Sequence, residues 1–439
     1  MFDEIKAALN DTICSLGNFS WFFAGNPRKD FSRKRKLPFE KVITVILAFR
    51  SSSLTNELLD FFQFDSGIAT SSAFVQQRAK ILPAAFEYLF AAFTKKVEQS
   101  KTYKGYRLYA VDGSDIQIQA NPGDVDSFYP GANGQKAYNL LHLNAMYDLL
   151  RHLYVDAILQ KSRKSDECGA LTAMVDRCGS ADNTLLLADR GYESYNNLAH
   201  IQEKGWKFLI RIKNGAMGIA SGLALPKEDE FDVPFQLLLT RKQSNSVKEL
   251  LKDKSHYKFV PSNARFDYLP QKSKKRDDAV FYKLAFRIVR FSISDTTQET
   301  IITNLDADEF PAVEIKKLYA MRWGVETSFR ELKYTLGLLH LHSKKVEFIH
   351  QEIFAKLTMY NFCELITQSV VIQQAKKKHD YKVNFSAAVH ICLQFFLNRI
   401  APPNAEALLA RYLSPIRRGR KYSRRLTPKA SISFLYRVA

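Results

Sequence analysis

The order of apolar segments between residues 105 and 213 constrains the fold more than any other feature of the sequence. Runs in which hydrophobic residues alternate or follow one another predict strands, and two segments with three- and four-residue spacing predict helices. In chain order these are strands "YRLYAVDGSDIQIQA", "NLLHLNAMYDLL" and "HLYVDAILQ", helix "DECGALTAMVDRCG", strand "NTLLLADRGY", helix "SYNNLAHIQEKG" and strand "WKFLIRIK". This alternation predicts an α/β fold with a mixed sheet flanked by helices.

The remaining segments divide the chain into five parts. Residues 1–100 and 346–439 have helical spacing, residues 214–298 contain short β segments, and residues 299–345 return to a strand followed by a helix. We therefore expect a core of residues 101–213 and 299–345, interrupted by a β-rich insertion domain and flanked by helical N- and C-terminal regions.

The charge balance predicts a polyanionic partner. The chain has 64 Lys and Arg against 45 Asp and Glu, a formal net charge of +19, which favours nucleic acid and leaves anionic lipid as an alternative. The longest apolar run, "VITVILAF", is too short to span a bilayer, so no membrane association is expected. The start lacks the apolar core of a secretory signal, and five scattered cysteines show no zinc-site spacing, which together indicate a cytoplasmic protein without zinc.

Basic residues are concentrated in two segments. "NPRKDFSRKRK" at 26–36 precedes two helical runs separated by "QFDSGIATSS", which are compatible with a helix-turn-helix-like DNA-binding unit or with an ordinary helical bundle. The C-terminal tail has no acid after Glu406 and is expected to contact a DNA backbone. Its DNA-binding candidates are Arg417, Arg418, Arg420 and Lys421.

The stretch "YAMRWGVETSFRELKYTLG" at 319–337 predicts an amphipathic helix with charges on one stripe. At about 100° per residue, four polar residues fall within an arc of roughly 60°, and Trp323 and Arg330 lie beside them. The four are Tyr319, Arg322, Glu326 and Lys333. If this stripe were buried in a protein core, each of its charges would need a partner. We therefore expect the stripe to face a negatively charged ligand and a metal ion rather than the core. Gly324 inside this helix indicates close approach of another group.

Two further carboxylates occur at the predicted strands. Asp112 lies in the first strand, and Asp189 ends the strand "LLLAD", where α/β sheets often present functional side chains. Asp115 competes with Asp112, but an odd separation points the two to opposite faces of a strand. With Glu326, the two aspartates provide the oxygen donors that Mg²⁺ prefers, and three such acids could hold two ions for phosphodiester chemistry.

Tyr319, Arg322, Glu326 and Lys333 have the spacing Y-x2-R-x3-E-x6-K, and with "AVDGSD" and "LADRGY" the sequence resembles the DDE transposases of bacterial insertion sequences that carry the YREK signature. The resemblance covers about residues 70–345. It implies an RNase H-like core, two Mg²⁺ or Mn²⁺ ions and movement of a DNA element by cleavage and joining.

Carried over by position, the resemblance implies a role for each matching residue. Asp112, Asp189 and Glu326 are the expected catalytic residues and metal ligands. Contacts to the phosphates of the element's end are expected from Tyr319, Arg322 and Lys333, and Arg190 and Tyr192, which match the DRGY segment, are expected to support the site and its DNA. Trp323 and Arg330 are further DNA-binding candidates because they lie beside the polar stripe.

The resemblance also implies partners and a location. Transposon ends and target DNA are the expected partners, held by a homodimer in a synaptic complex, in the nucleoid of a bacterial cytoplasm. A structure-selective nuclease of the same fold and an inactive DNA-binding derivative are the alternatives.

Overall fold

The computed structural model describes residues 1–33, 35–131, 136–179, 183–213, 218–271, 278–294, 297–372 and 380–416. The N-terminal region is helical, with a short 3₁₀ turn at Ser20–Phe23. Side chains that accept the amides of the first turn fix two helix starts: Ser53 accepts from Asn56, and Thr70 accepts from Ala73. The helices are α1 (Phe2–Asn18), α2 (Phe39–Ala48), α3 (Leu54–Phe61), α4 (Ser71–Arg78) and α5 (Ala84–Lys96).

The middle of the chain forms one sheet, which has ten strands in the part of the chain that the structure describes. The strands are β1 (Arg107–Ile118), β2 (Phe128–Tyr129), β3 (Tyr138–Asp148), β4 (Leu153–Lys161), β5 (Thr184–Ala188), β6 (Lys207–Arg211), β7 (Phe231–Thr240), β8 (Tyr257–Phe259), β9 (Tyr282–Ser294) and β10 (Thr297–Thr303). The helices between them are α6 (Glu167–Arg177), α7 (Tyr195–Glu203) and α8 (Asn245–Leu250).

Five of these strands form the RNase H-like mixed sheet that the sequence predicted. Their spatial order is β4-β3-β1-β5-β6. The antiparallel strand β3 lies between β1 and β4, while β1, β5 and β6 run parallel to one another. The parallel strands need crossover helices, and α6 and α7 provide them. Helices cover both faces, because two separate hydrophobic clusters are built from alternate residues of the same strands.

The β-rich insertion differs from the separate module that the sequence suggested. Strand β9 pairs with β10 of the core, β7 pairs with β9, and β8 pairs with β7. The inserted strands therefore continue the central sheet beyond β6 and β10. The reason is that β9 and β10 follow each other closely in sequence and pair as a hairpin, which joins the insertion to the core ladder.

The stretch predicted as one helix at 319–337 is divided into three pieces. Helix α9 (Ala312–Met321) ends at Arg322, α10 (Trp323–Arg330) follows, and Glu331–Thr335 forms a π-helical turn. The angular stripe computed for a regular helix therefore does not extend to Lys333. The close contact at Gly324 comes from the protein itself, since an added Cβ would lie 3.0 Å from Leu149 Cδ2.

The C-terminal region is mainly helical. It contains α11 (Val346–Gln368), β11 (Tyr381–Val383), α12 (Phe385–Phe396), α13 (Pro402–Arg411) and β12 (Leu413–Pro415), with β11 and β12 paired antiparallel. The basic tail residues Arg417, Arg418, Arg420 and Lys421 lie outside the described residues. Of the helices given above, none combines the length and the apolarity that crossing a bilayer demands.

A buried ionic cluster joins the N-terminal helices to α11. Arg78 of α4 lies 2.9 Å from Glu352 of α11, and His342 Nδ1 lies 3.1 Å from the same carboxylate. His342 Nε2 also lies 3.5 Å from Glu57 of α3. The apolar residues around this cluster belong to the same hydrophobic core as the α10 face of the sheet, so the N- and C-terminal helices and the sheet fold around one core.

Candidate active site

The two predicted aspartates lie side by side on neighbouring parallel strands, Asp112 in the middle of β1 and Asp189 directly after β5. Val111 of β1 pairs with Ala188 of β5, and Ala188 pairs with Ile210 of β6. The next residue on each strand is Asp112, Asp189 and Arg211, respectively. Because neighbouring strands are about 4.8 Å apart, this register brings two carboxylates and a guanidinium into one row.

The side chains of this row face helix α10. Leu108 and Ala110 of β1 and Leu185 and Leu187 of β5 belong to the hydrophobic cluster that also contains Val325 of α10. Side chains alternate along a strand, so Asp112 and Asp189 point to this same face. Glu326 is on α10, which packs against β1. The three predicted carboxylates therefore lie on the same face of the sheet.

Arg322 lies between two of these carboxylates. Its Nη2 donates to Glu326 Oε1 over 2.9 Å, and its Nη1 lies 3.9 Å from Asp112 Oδ2. Only 3% of Arg322 is exposed. The residue sits at the junction of α9 and α10, so the break in the helix places this guanidinium against the sheet.

Arg211 holds the third carboxylate. Its Nε lies 2.6 Å from Asp189 Oδ1, and its Nη2 donates to Asp189 Oδ2 over 3.0 Å. Its Nη1 also donates to Glu299 over 3.3 Å. Burial alone would raise the pKa of Asp189, but the Arg190 amide, Arg211 and Arg322 outweigh it and lower this pKa. Asp189 is therefore held as a fixed anion.

Asp112 has the opposite electrostatic character. Burial raises its pKa to about 6, and the neighbouring charges of Glu326 and Asp189 add to this increase. The Gly113 amide, which donates to Asp112 Oδ1 over 2.9 Å, and Arg322 offset it in part. Repulsion between the three carboxylates shows that they share one electrostatic environment.

The sequence matches the family described as "Transposase DDE domain" over residues 103–362, which is more than half of the chain. The chain belongs to the DDE transposase family. The matched segment begins just before β1 and ends within α11, so it includes all three predicted carboxylates and the inserted strands.

A curated protein and a solved structure are similar to this chain. This transposase is 23% identical to the transposase InsG of insertion sequence element IS4 from Escherichia coli strain K12, over 345 residues that cover 75% of this chain and 70% of InsG. Among solved structures, the piggyBac transposase synaptic complex with hairpin DNA matches 92% of this chain, and 84% of that chain is covered, with a TM-score of 0.44 and 11% identity.

Of the predicted DNA contacts in the transposase, Arg322 contacts two of the carboxylates, Tyr319 lies beside Arg322, and Lys333 contacts the backbone of β1. Tyr319 is buried with its ring 5.6 Å from the Arg322 guanidinium. Lys333 Nζ donates to the backbone oxygen of Asp115 over 2.7 Å, which places its ammonium beside β1 although the helix is irregular there.

The other predicted DNA contacts are distributed differently. Trp323 is 54% exposed and its ring lies 5.3 Å from the Arg322 guanidinium, and Arg190 is exposed next to Asp189. Arg330 lines another cleft, which it shares with Lys382. Tyr192 is only 1% exposed and packs in the core on the opposite face of the sheet, so its predicted contact with DNA does not agree with its position.

The sequence interpretation did not find Arg211. A signal was present, because "WKFLIRIK" is an apolar strand that ends in a cation, as "LLLAD" is an apolar strand that ends in an acid. Only the register of β5 and β6 shows that these two ends are neighbours.

The chemistry of the site suits a hard divalent cation, because all three candidate ligands are carboxylates. In the described part of the chain, however, no group of three or more His, Cys, Asp or Glu side chains has an arrangement that could hold a metal ion. The carboxylates form ion pairs with Arg322 and Arg211 instead. Their residue types are thus suitable ligands for a cation, while in this structure their partners are arginines.

Proposed function

We propose that this transposase cleaves DNA at the ends of a mobile element and joins the freed 3′-OH to target DNA. The observation that supports this most strongly is the register of Asp112 and Asp189 on adjacent parallel strands, on the face that carries Glu326. A pair of carboxylates on adjacent strands, with a third carboxylate on a helix over the same face, is a suitable place to present a phosphodiester to metal ions.

Asp112, Asp189 and Glu326 would hold two Mg²⁺ or Mn²⁺ ions. When bound, such ions supply a Lewis acid that activates the attacking oxygen and offsets charge on the leaving oxygen. The protein orients its carboxylates through backbone amides: Gly113 donates to Asp112, and Arg190 donates to Asp189 Oδ1 over 2.7 Å. One oxygen of each aspartate is thereby fixed.

Arg322 would exchange partners when the site is loaded. In this structure its guanidinium partly neutralises Glu326 and Asp112. Metal cations bound to these carboxylates would neutralise them in place of Arg322. The guanidinium would then be free to bind phosphate, whose oxygens can accept two parallel hydrogen bonds from its planar N–H groups. Lys333 and Tyr319 would contact phosphates of the same DNA end, and the spacing of this set is what supports membership of the YREK group.

The N-terminal region would bind the DNA that flanks the cleavage position. A cleft of about 320 Å³ there is lined by five cations, and among the described residues it is also lined by Ser32 and Gln77. The cations are Arg28, Lys29, Arg33, Arg35 and Lys80. Clustered guanidinium and ammonium groups of this kind bind phosphate oxygens without reading the base sequence. Two copies, each holding one end, would form the synaptic complex.

The first experiment tests cleavage and its carboxylates. The purified protein is incubated with DNA that flanks its own gene, with and without Mg²⁺, alongside Asp112→Asn, Asp189→Asn and Glu326→Gln. Each variant is expected to lose Mg²⁺-dependent cleavage while a mobility-shift assay still detects end binding. Asp156→Asn is the matched control, since Asp156 is a carboxylate on β4 that pairs with Arg177 away from this site.

The second experiment tests joining. Pre-cut ends with a free 3′-OH are offered together with target DNA, and strand transfer is scored. Cleavage without transfer would identify a nuclease of the same fold, and end binding with neither step would identify an inactive DNA-binding derivative. Full cleavage by Glu326→Gln would remove α10 from the proposed mechanism.

A further inference from the structure

The face of the sheet opposite α10 carries a histidine between two carboxylates. His142 of β3 is paired with Asp115 of β1 in the ladder. Its Nδ1 lies 2.7 Å from Asp115 Oδ1, and its Nε2 lies 3.0 Å from Glu167 Oε1. We call these three residues the His142 cluster. None of them belongs to the set of residues proposed above for DNA or metal.

The His142 cluster carries a positive charge at its centre. Burial alone would lower the pKa of His142, but hydrogen bonds and charge interactions with Asp115 and Glu167 outweigh it and raise the pKa to about 9. The imidazolium therefore attracts both carboxylates at neutral pH. Glu167 is held in place although 37% of its side chain is exposed.

Glu167 lies against both chain segments that carry the catalytic aspartates. A Cβ added at Gly113, the residue after Asp112, would lie 2.4 Å from His142 Nε2 and 2.8 Å from Glu167 Oε1. A Cβ added at Gly191, two residues after Asp189, would lie 3.2 Å from Glu167 Oε2. The two glycines thus let one carboxylate approach both backbones.

This support matters because β1 extends beyond its neighbour. Strand β5 pairs with β1 only as far as Val111, while β1 continues to Ile118. From Asp112 onward, that edge of β1 has no strand beside it in the described part of the chain. On this side, the contact that the structure does show is the Lys333 ammonium on the Asp115 carbonyl.

Helix electrostatics explain only part of this arrangement. Glu167 is the first residue of α6, where an acid is favoured by the helix dipole. That preference accounts for a carboxylate at this position. It does not account for the imidazolium that holds the carboxylate, nor for a glycine at each point where the carboxylate meets the backbone.

We propose that Glu167, held by His142, is a positioning residue that fixes the spacing between the segments bearing Asp112 and Asp189. It acts through Gly113 and Gly191 and does not touch the reacting atoms. This inference rests on the proposed function, since the spacing matters only if the two aspartates act on shared cations. Mg²⁺ demands near-ideal octahedral geometry, so a small displacement of either aspartate weakens its binding.

The test compares Glu167→Gln and His142→Gln with a matched control, His200→Gln. His200 also lies between two carboxylates, with Nδ1 2.8 Å from Asp176 and Nε2 2.9 Å from Asp267, and its side chain is similarly buried. It links α7 to the insertion, away from Gly113 and Gly191. Calorimetry measures Mn²⁺ binding without DNA, and single-turnover assays measure cleavage at saturating DNA.

Both cluster variants are expected to weaken Mn²⁺ binding and slow cleavage by about 10- to 100-fold, with end-binding affinity unchanged. His200→Gln is expected to match the wild type in Mn²⁺ affinity, cleavage rate and end-binding affinity. Thermal unfolding checks that the variants fold. If Glu167→Gln does not fold, Gly191→Ala provides the same test, because its new methyl group displaces Glu167 and is expected to weaken Mn²⁺ binding severalfold.

The outcomes separate the inference from the proposed function. Cluster variants that bind Mn²⁺ and cleave like the wild type would overturn the positioning role alone. Equal losses in the cluster variants and in His200→Gln would also overturn it, because they would show a general effect of removing a buried imidazolium. A wild-type protein that neither binds Mn²⁺ nor cleaves would instead contradict the proposed function.

Discussion

Arg322 donates a hydrogen bond to Glu326 over 2.9 Å, one helical turn along the same segment. The same guanidinium approaches Asp112 on β1. A cation of the protein thus lies where the carboxylates of a DDE transposase would meet metal ions. The two kinds of charge compete for the same oxygens, and this competition can be measured.

Arg322→Gln is expected to bind Mn²⁺ about tenfold more tightly than the wild type in the absence of DNA. The reason is that the carboxylates no longer have to release a guanidinium, and tenfold corresponds to about 1.4 kcal/mol. Calorimetry at pH 8 measures the affinity. Arg330→Gln, an exposed arginine of α10 that lines another cleft, is the control and should change nothing. Unchanged or weaker binding by Arg322→Gln would show that the two charges do not compete.

Asp112→Asn is expected to make the metal-free protein more stable. The pKa of Asp112 is raised from 3.8 to about 6 by burial, so the ionised carboxylate opposes folding. This cost is complete above about pH 6 and disappears as the pH falls through 3.8. The gain in free energy of unfolding should therefore be on the order of 1–3 kcal/mol at pH 7 and near zero at pH 4. Urea unfolding in EDTA measures both; a variant less stable than the wild type at pH 7 would contradict the expectation.

Lys333→Ala is expected to weaken binding to the element's end and to reduce its dependence on salt. Loss of one phosphate contact lowers the slope of log K against log salt concentration by about one unit. Titrations between 50 and 200 mM salt, as is usual for such slopes, measure it. Lys248→Ala, on α8 of the insertion, provides a lysine control. A slope equal to that of the wild type would exclude a phosphate contact by Lys333.

Glu352→Gln is expected to destabilise the fold by about 3–5 kcal/mol at neutral pH, because it leaves Arg78 buried without its counter-charge. Burial alone would raise the pKa of Glu352, but Arg78 and His342 outweigh it and lower this pKa from 4.5 to about 2. The stabilisation is therefore present above pH 4.5 and lost as the pH falls toward 2, so the difference from the wild type should shrink in acid. Glu249→Gln, from an exposed pair with Lys252, should change stability by less than about 0.5 kcal/mol. A loss for Glu352→Gln as small as that of the control would contradict the prediction.

Much of the α/β core could be predicted because local patterns specify it. The apolar runs before Asp112 and Asp189 define β1 and β5, and their shared face follows from alternation along a strand. The motif spacing predicted Glu326 as a third carboxylate, and α10, which carries it, packs against β1. These features depend on residues that are near one another in sequence.

The partners of these residues could not be predicted in the same way. The pairing of Arg211 with Asp189 depends on the order of strands in space, and Glu167 reaches Gly113 only because α6 returns across the sheet. The break at Arg322 and the π-helical turn are departures from regular geometry that an angle of 100° per residue does not include. The sequence predictions and the structure therefore differ for two reasons: residues pair over long distances in sequence, and the helix after Met321 is locally irregular.

The continuity of the sheet through β10, β9 and β7 limits how such a protein can be re-engineered. Excising the insertion as a cassette would remove β9, one of the two strands that pair with β10, and leave an unpaired sheet edge prone to self-association. The inserted strands are thus a permanent extension of the central sheet, and their exchange between homologues would have to preserve the pairing of β9 with β10.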